Sequence, residues 1–62
     1  MIKISLRAAR SNAKLTQEEA AEKMGVSRDT IAHWESGKTL PNAQKIKRIE
    51  EVYGISFSDL VF

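Results

Sequence analysis

Three residues, Gly25, Val26 and Ser27, are all that separate two segments of helical pattern in the middle of this 62-residue chain. So short a turn makes two helices cross at a steep angle, and each of its residues suits that task. Gly25 accepts the positive φ that stops a helix. Val26 offers an apolar plug, and Ser27 offers an N-cap to the helix that follows. The segment before the turn, residues 16–24, opens with Thr16-Gln17-Glu18-Glu19. This is a capping box: the Thr16 hydroxyl takes the Glu19 amide, and the Glu19 side chain reaches back. Ala20, Ala21 and Met24 make its apolar side, with Ala21 small enough for the two helices to approach closely.

The rest of the chain is punctuated just as closely. Gly37 with Pro41, and then Gly54, cut it into further short helical segments, and no run alternates with period two. A first helix is expected over residues 4–13, with Leu6, Ala9, Arg10 and Ala13 on one face and Leu15 just beyond it. The helix after the turn is expected over residues 27–36. Asn42 caps a fourth helix carrying Ile46, Ile49, Val52 and Tyr53, and Ser56-Phe57-Ser58-Asp59 signals a short last one. The reading is an all-α chain, a compact bundle of five short helices forming a single domain over residues 1–62.

A chain of this length buries only about 60% of the surface its unfolded form exposes, so its core must be economical. Its 42% hydrophobic content suffices for one. With no cysteine and one histidine, the sequence offers neither disulfides nor a metal cage. No nucleophile stands at a recognisable spacing from His33 and no glycine-rich phosphate loop appears, so an enzyme is not expected and no cofactor or small-molecule ligand is implied. The first residues lack the apolar stretch of a signal peptide, and no run of about 18 apolar residues exists. The expected setting is the cytoplasm, without a membrane partner.

Ten Lys and Arg against eight Asp and Glu give a net charge of +2, which alone fits an ordinary solvated surface. The distribution says more. Residues 1–15 hold Lys3, Arg7, Arg10 and Lys14 and no acid, which suits an anionic partner on one face.

Advancing about 100° per residue from Ile31 puts Trp34 and Ser27 on its side of the third helix. Ile31 and Trp34 are therefore its buried anchors. Asp29, Ala32, His33 and Ser36 lie opposite, flanked by Arg28 and Thr30. A polar, short-chained outer face suits contact with base edges in a major groove. Glu35 falls at the edge of the buried side, where a carboxylate needs a partner. Arg10, on the packing face of the first helix, is the candidate, and the pair is read as structural.

Residues 4–60 resemble the Cro/CI-type, or XRE, helix-turn-helix family of phage repressors and bacterial regulators. The resemblance is carried by Leu6-Arg7-x-x-Arg10, Leu15-Thr16-Gln17-Glu18-Glu19-x-Ala21, Met24-Gly25-Val26-Ser27 and Thr30-Ile31-x-x-Trp34-Glu35-x-Gly37-Lys38-x-x-Pro41. Ile46-x-x-Ile49, Tyr53-Gly54-Ile55-Ser56 and Leu60 continue it. It implies a lambda-repressor-like domain that binds double-stranded DNA, usually as a homodimer on a pseudo-palindromic operator, with the third helix in the major groove. By the same resemblance Gln17 contacts a phosphate and braces that helix. Ser27, Arg28, Asp29, Thr30 and His33 face bases or nearby phosphates, and Lys38, Thr39 and Asn42 hold phosphates. The Arg10–Glu35 pair is structural in the family as well.

Two positions depart from the family pattern. Ala20 stands where Leu is common, so the second helix should contribute less to the core. Glu50 stands where a small apolar residue is usual, and is expected to be exposed or paired with a nearby Lys. Among the readers, Arg28 can donate two parallel bonds to guanine or hold a phosphate, and Asp29 can accept from cytosine or favour the helix start and orient Arg28. The implied activity is that of a sequence-specific transcriptional regulator, most simply a repressor acting at the nucleoid. Val61 and Phe62 are expected to help form the dimer. The rival reading is a protein-interaction module, such as an antitoxin, with DNA binding secondary or lost.

Overall fold

Every α-helix begins on a side-chain cap, which explains where each one starts. The computed structural model describes residues 3–62. Ser5 Oγ accepts from the Ala8 amide at 3.1 Å and opens α1 (Leu6–Asn12). Thr16 opens α2 (Gln17–Met24) with the full capping box. The Glu19 amide donates to Thr16 Oγ1 at 3.1 Å and the Thr16 amide to Glu19 Oε1 at 2.9 Å. That backbone bond from Thr16 is the main cause holding the Glu19 carboxyl below its usual pKa. Ser27 caps α3 (Arg28–Ser36) through the Thr30 amide at 3.2 Å, and Asn42 caps α4 (Ala43–Tyr53) through the Lys45 amide at 2.9 Å.

The first helix therefore starts two residues later than its apolar spacing predicts. Ile4 and Ser5 form a short strand, β1 (Ile4–Ser5), paired in parallel with β2 (Leu60–Val61), Ile4 opposite Leu60 and Ser5 opposite Val61. The fold is thus mostly helical with a two-stranded sheet rather than purely α. The expected fifth helix is a single 3-10 turn, Phe57–Asp59. Ser56 does not cap it; its hydroxyl lies 3.0 Å from that of Ser58. The amide of Phe57 instead donates to Glu50 Oε2 at 2.7 Å. Half-buried Glu50 therefore anchors the terminal turn to α4, in place of the free or Lys-paired carboxylate expected of it.

The described helices also end close to a residue of positive φ. Gly25, Gly37 and Gly54 supply it directly after α2, α3 and α4. After α1 the cap Ala13 stays right-handed, and Lys14, one residue further on, takes the positive φ, at 60°. At each end the following amide bonds back into the last turn, as Val26 does to the Ala21 carbonyl at 3.0 Å and Leu15 to that of Arg10 at 3.2 Å.

The core gathers between the helices around Leu6, Met24, Ile31, Trp34, Ile49 and Leu60. Ile31 and Ile49 are its largest fully enclosed side chains. Ala20 is wholly buried as well, so its short side chain sits within the packing of α2. Arg48 of α4 donates to the Lys23 carbonyl at 3.0 and 3.3 Å, satisfying one of the unpaired groups at the end of α2. Ile46, expected to face the core, is only half-buried and belongs to a surface patch described below.

Lys14 holds a conformation that costs an L-residue about 1–2 kcal/mol and glycine little. Lys14→Gly, set against the extra chain entropy of glycine, is expected to stabilise the fold by about 0.5–1 kcal/mol. Chemical denaturation should show the midpoint rising with an unchanged slope.

Candidate nucleic-acid interface

Three helices meet at one carboxylate. Arg10 of α1 donates from Nε to Glu35 Oε2 at 2.6 Å and from Nη2 to Oε1 at 3.3 Å. Its Nη1 goes to the Leu15 carbonyl at 2.9 Å. Gln17, the first residue of α2, adds a bond from Nε2 to Glu35 Oε1 at 3.1 Å. The side chains of Arg10 and Glu35 are only 14% and 7% exposed. The structure thus brings together the expected pair, and gives Gln17 the bracing half of its expected role. The hydrogen bond from Arg10 to Glu35 raises the pKa of Arg10 further above an already high value. Tyr53 lies close behind the cluster, and burial, then the charge of Glu35, pushes its phenol up to about 12.

This cluster fixes which side of α3 looks outward. Ile31 and Trp34 are buried, as their spacing predicts. Arg28 and Asp29 are fully on the surface, as is Ser36, while Ala32 and His33 are half-buried. Ser27 and Thr30 are less free than their positions suggest: their hydroxyls share a hydrogen bond of 2.9 Å, and the Ser27 hydroxyl also holds the Thr30 amide. They act first as the cap of α3 and present one linked hydroxyl pair.

The segment after α3 turns sharply, with the Lys38 amide bonded to the His33 carbonyl at 2.9 Å. Lys38 and Thr39 are exposed there. Asn42 spends its carbonyl oxygen on the cap of α4, leaving its amide protons outside that bond.

Two surface features escaped the sequence pattern. One is a cleft of about 410 Å³ between α1, the start of α2 and α3, lined by Arg7, Arg10, Gln17, Ala32, Glu35 and Ser36. The sequence named Arg7 in a basic group and in the Leu6-Arg7-x-x-Arg10 motif, but gave it no site role. The other is a small apolar hollow of about 160 Å³ lined by Leu40, Pro41, Ile46, Phe57 and Phe62. Leu40 is 68% exposed, and the rings of Phe57 and Phe62 lie 5.7 Å apart. Leu40 and Phe57 sit outside the α-helices, where periodicity says nothing about exposure. Among the described residues no helix is long and apolar enough to cross a membrane.

Known proteins share this arrangement of sequence. The model of a family described as helix-turn-helix matches residues 6–60. The HTH-type transcriptional activator BcrR of Enterococcus faecalis is 39% identical over 56 residues, which cover 90% of this chain but only 28% of that protein. An uncharacterized HTH-type transcriptional regulator of Methanocaldococcus jannaschii is 37% identical over 59 residues, 95% of this chain and 89% of its own. The cryptic phage CTXphi transcriptional repressor RstR of Vibrio cholerae is 30% identical over 61 residues, 98% of this chain and 55% of its own. No solved structure matches the chain.

Removing one member of a largely buried ion pair strands the other. Glu35→Ala is therefore expected to cost about 3 kcal/mol of unfolding free energy. Gln17→Ala, which deletes one neutral donor, should cost about 1 kcal/mol. Thermal unfolding of the two variants against the parent chain checks the ranking.

Proposed function

The chain belongs to the XRE-type helix-turn-helix family of transcriptional regulators, and from that premise we propose that α3 enters the major groove of double-stranded DNA and reads base edges there. The observation that carries this is the outward side of α3. Arg28 stands exposed in its first turn beside Asp29, with His33 a turn further on and only the methyl group of Ala32 apolar on the face. Arg28 carries the principal base contact, through the two parallel donors that guanine O6 and N7 accept. Asp29 orients it and favours the positive end of α3. The linked hydroxyls of Ser27 and Thr30, together with His33, meet bases or nearby phosphates. Gln17, Lys38, Thr39 and the free amide protons of Asn42 hold the phosphate backbone, which positions the helix without specifying sequence. The protein regulates by occupying its site, most simply as a repressor, and performs no catalysis.

The same reading includes a two-fold dimer on a pseudo-palindromic site. Its support is the apolar hollow of Leu40, Pro41, Ile46, Phe57 and Phe62, together with Val61, which precedes Phe62 in the chain and is 49% exposed. Exposed apolar groups gathered in one place favour burial against a partner, and a second copy meets the same surface by symmetry. Leu40 and Phe57 thus join the terminal pair Val61 and Phe62 that the sequence nominated.

Selection of bound duplexes from a random pool, followed by gel-shift titration, tests the docking face. Arg28→Ala is expected to lose about 1–3 kcal/mol of discrimination at one base pair. Lys38→Ala should weaken binding to all sequences alike and make the logarithmic salt dependence shallower by about 0.9. Titrations unchanged in both variants would remove α3 from the groove. In sedimentation, the parent chain should bind its selected duplex as two copies, and Phe62→Asp as one; a parent that stays monomeric on DNA would refute the dimer.

A further inference from the structure

His33 is the one histidine in the chain, and imidazole is the side chain that ordinarily changes charge between roughly pH 5 and 8. The fold sets it half-buried on the outward side of α3. Its ring makes no ion pair or hydrogen bond among the described residues. Its carbonyl, by contrast, is crowded. The Lys38 and Thr39 amides reach it at 2.9 and 3.4 Å, and the Ser36 hydroxyl at 3.2 Å. The backbone beneath the ring is therefore held, while the ring nitrogens stay unclaimed.

The charges around that ring are lopsided. Within α3, Asp29 stands one turn earlier beside Arg28, and both are exposed. Glu35 is taken up by Arg10 and Gln17. The turn after α3 brings Lys38. From α1, Arg7 lies along Ala32 and Ser36, and Arg10 is already paired. From α2, uncharged Gln17, Ala20, Ala21 and Met24 lie inward, while Glu18, Glu19 and Glu22 are exposed. In this neighbourhood Asp29 is the one unpaired acid beside the unpaired cations Arg7, Arg28 and Lys38.

We propose that DNA binding by this chain is proton-linked through His33: the imidazole takes up a proton as the duplex docks, so occupancy rises as the pH falls through neutrality. The inference rests on the groove-binding reading of α3. Docking brings the charged strands that border the groove up to the outward side of the helix. They oppose the nearby cations and turn the field at the ring negative. A negative field at close range favours the charged imidazole. The protonated ring also presents two N–H donors, where the neutral ring has one donor and one acceptor. An opposite charge within about 4–6 Å raises the proton affinity of such a group about tenfold or more. Linkage is reciprocal: a proton held more tightly in the complex tightens the complex by the same factor when acid supplies it.

The test uses the whole chain and a duplex of about 20 base pairs taken from the random-pool selection. Affinity is measured at constant ionic strength between about pH 5.5 and 8. The parent is expected to bind about tenfold tighter at the acid end for each copy bound. His33→Gln, which keeps a donor and an acceptor but cannot take up a proton, should flatten that dependence whatever its absolute affinity. A parent whose affinity stays level across the range would overturn the linkage. So would a folded His33→Gln chain that keeps the full dependence. A parent that binds no duplex at any pH would instead remove the groove-binding reading, and the linkage with it. The His33 ring-proton resonances of the unmodified chain give a measurement independent of any variant. Followed against pH with and without saturating duplex, their midpoint should move to higher pH in the complex; equal midpoints would refute proton uptake at this ring.

Discussion

The bond between Arg10 and Glu35 sets the relation of three helices that otherwise meet through apolar side chains. Ile31 and Trp34 decide that one side of α3 is buried, but apolar packing is non-directional and leaves the helix free to roll by some degrees. A guanidinium fork on a carboxylate does not. It locks α3 to α1, and Gln17 extends the lock to the first residue of α2. Burying two charges is costly unless their hydrogen bonds are met. Here both carboxylate oxygens are satisfied and the third guanidinium nitrogen finds a carbonyl. The result is a rigid frame whose surplus polarity is turned toward the outer side of α3.

That frame divides the labour between the surfaces it presents. The outer side of α3 holds short and polar side chains around one long one, Arg28, and the hydroxyl bond between Ser27 and Thr30 stiffens its first turn. The segment from Lys38 to Asn42 is pinned at both ends, by the turn after α3 and the cap of α4. Apolar exposure is kept to a separate place, at Leu40, Phe57 and Phe62.

What could be read from the sequence was what is local along the chain. The Thr16 capping box, the Gly25 stop, the Ser27 cap and the Ile31–Trp34 spacing each involve residues within a turn or so of one another, and each stands where the pattern places it. The Arg10–Glu35 pair spans 25 residues, yet was legible because a carboxylate at the edge of a buried face demands a partner. The pairing of Ile4 and Ser5 with Leu60 and Val61 was not: a two-residue strand has no period, and its partner lies at the other end of the chain. Glu50 was misread because its partner is a backbone amide seven residues on, and an amide carries no signature in sequence. Lys14 went unnoticed because glycine is the usual mark of a left-handed stop. The phosphate and base roles of the outer residues come from resemblance and the exposure of α3, and concern atoms outside this chain.

The small sheet has a mechanical meaning. Its two strands run the same way, so the chain enters at one end of the pair and leaves at the other. A pull that separates the two ends of the domain loads the ladder in shear, all bonds at once, rather than unzipping them one after another. Such a pull meets that clasp before it reaches α3. The orientation of α3 is thereby insulated from a pull applied at the two ends of the pair.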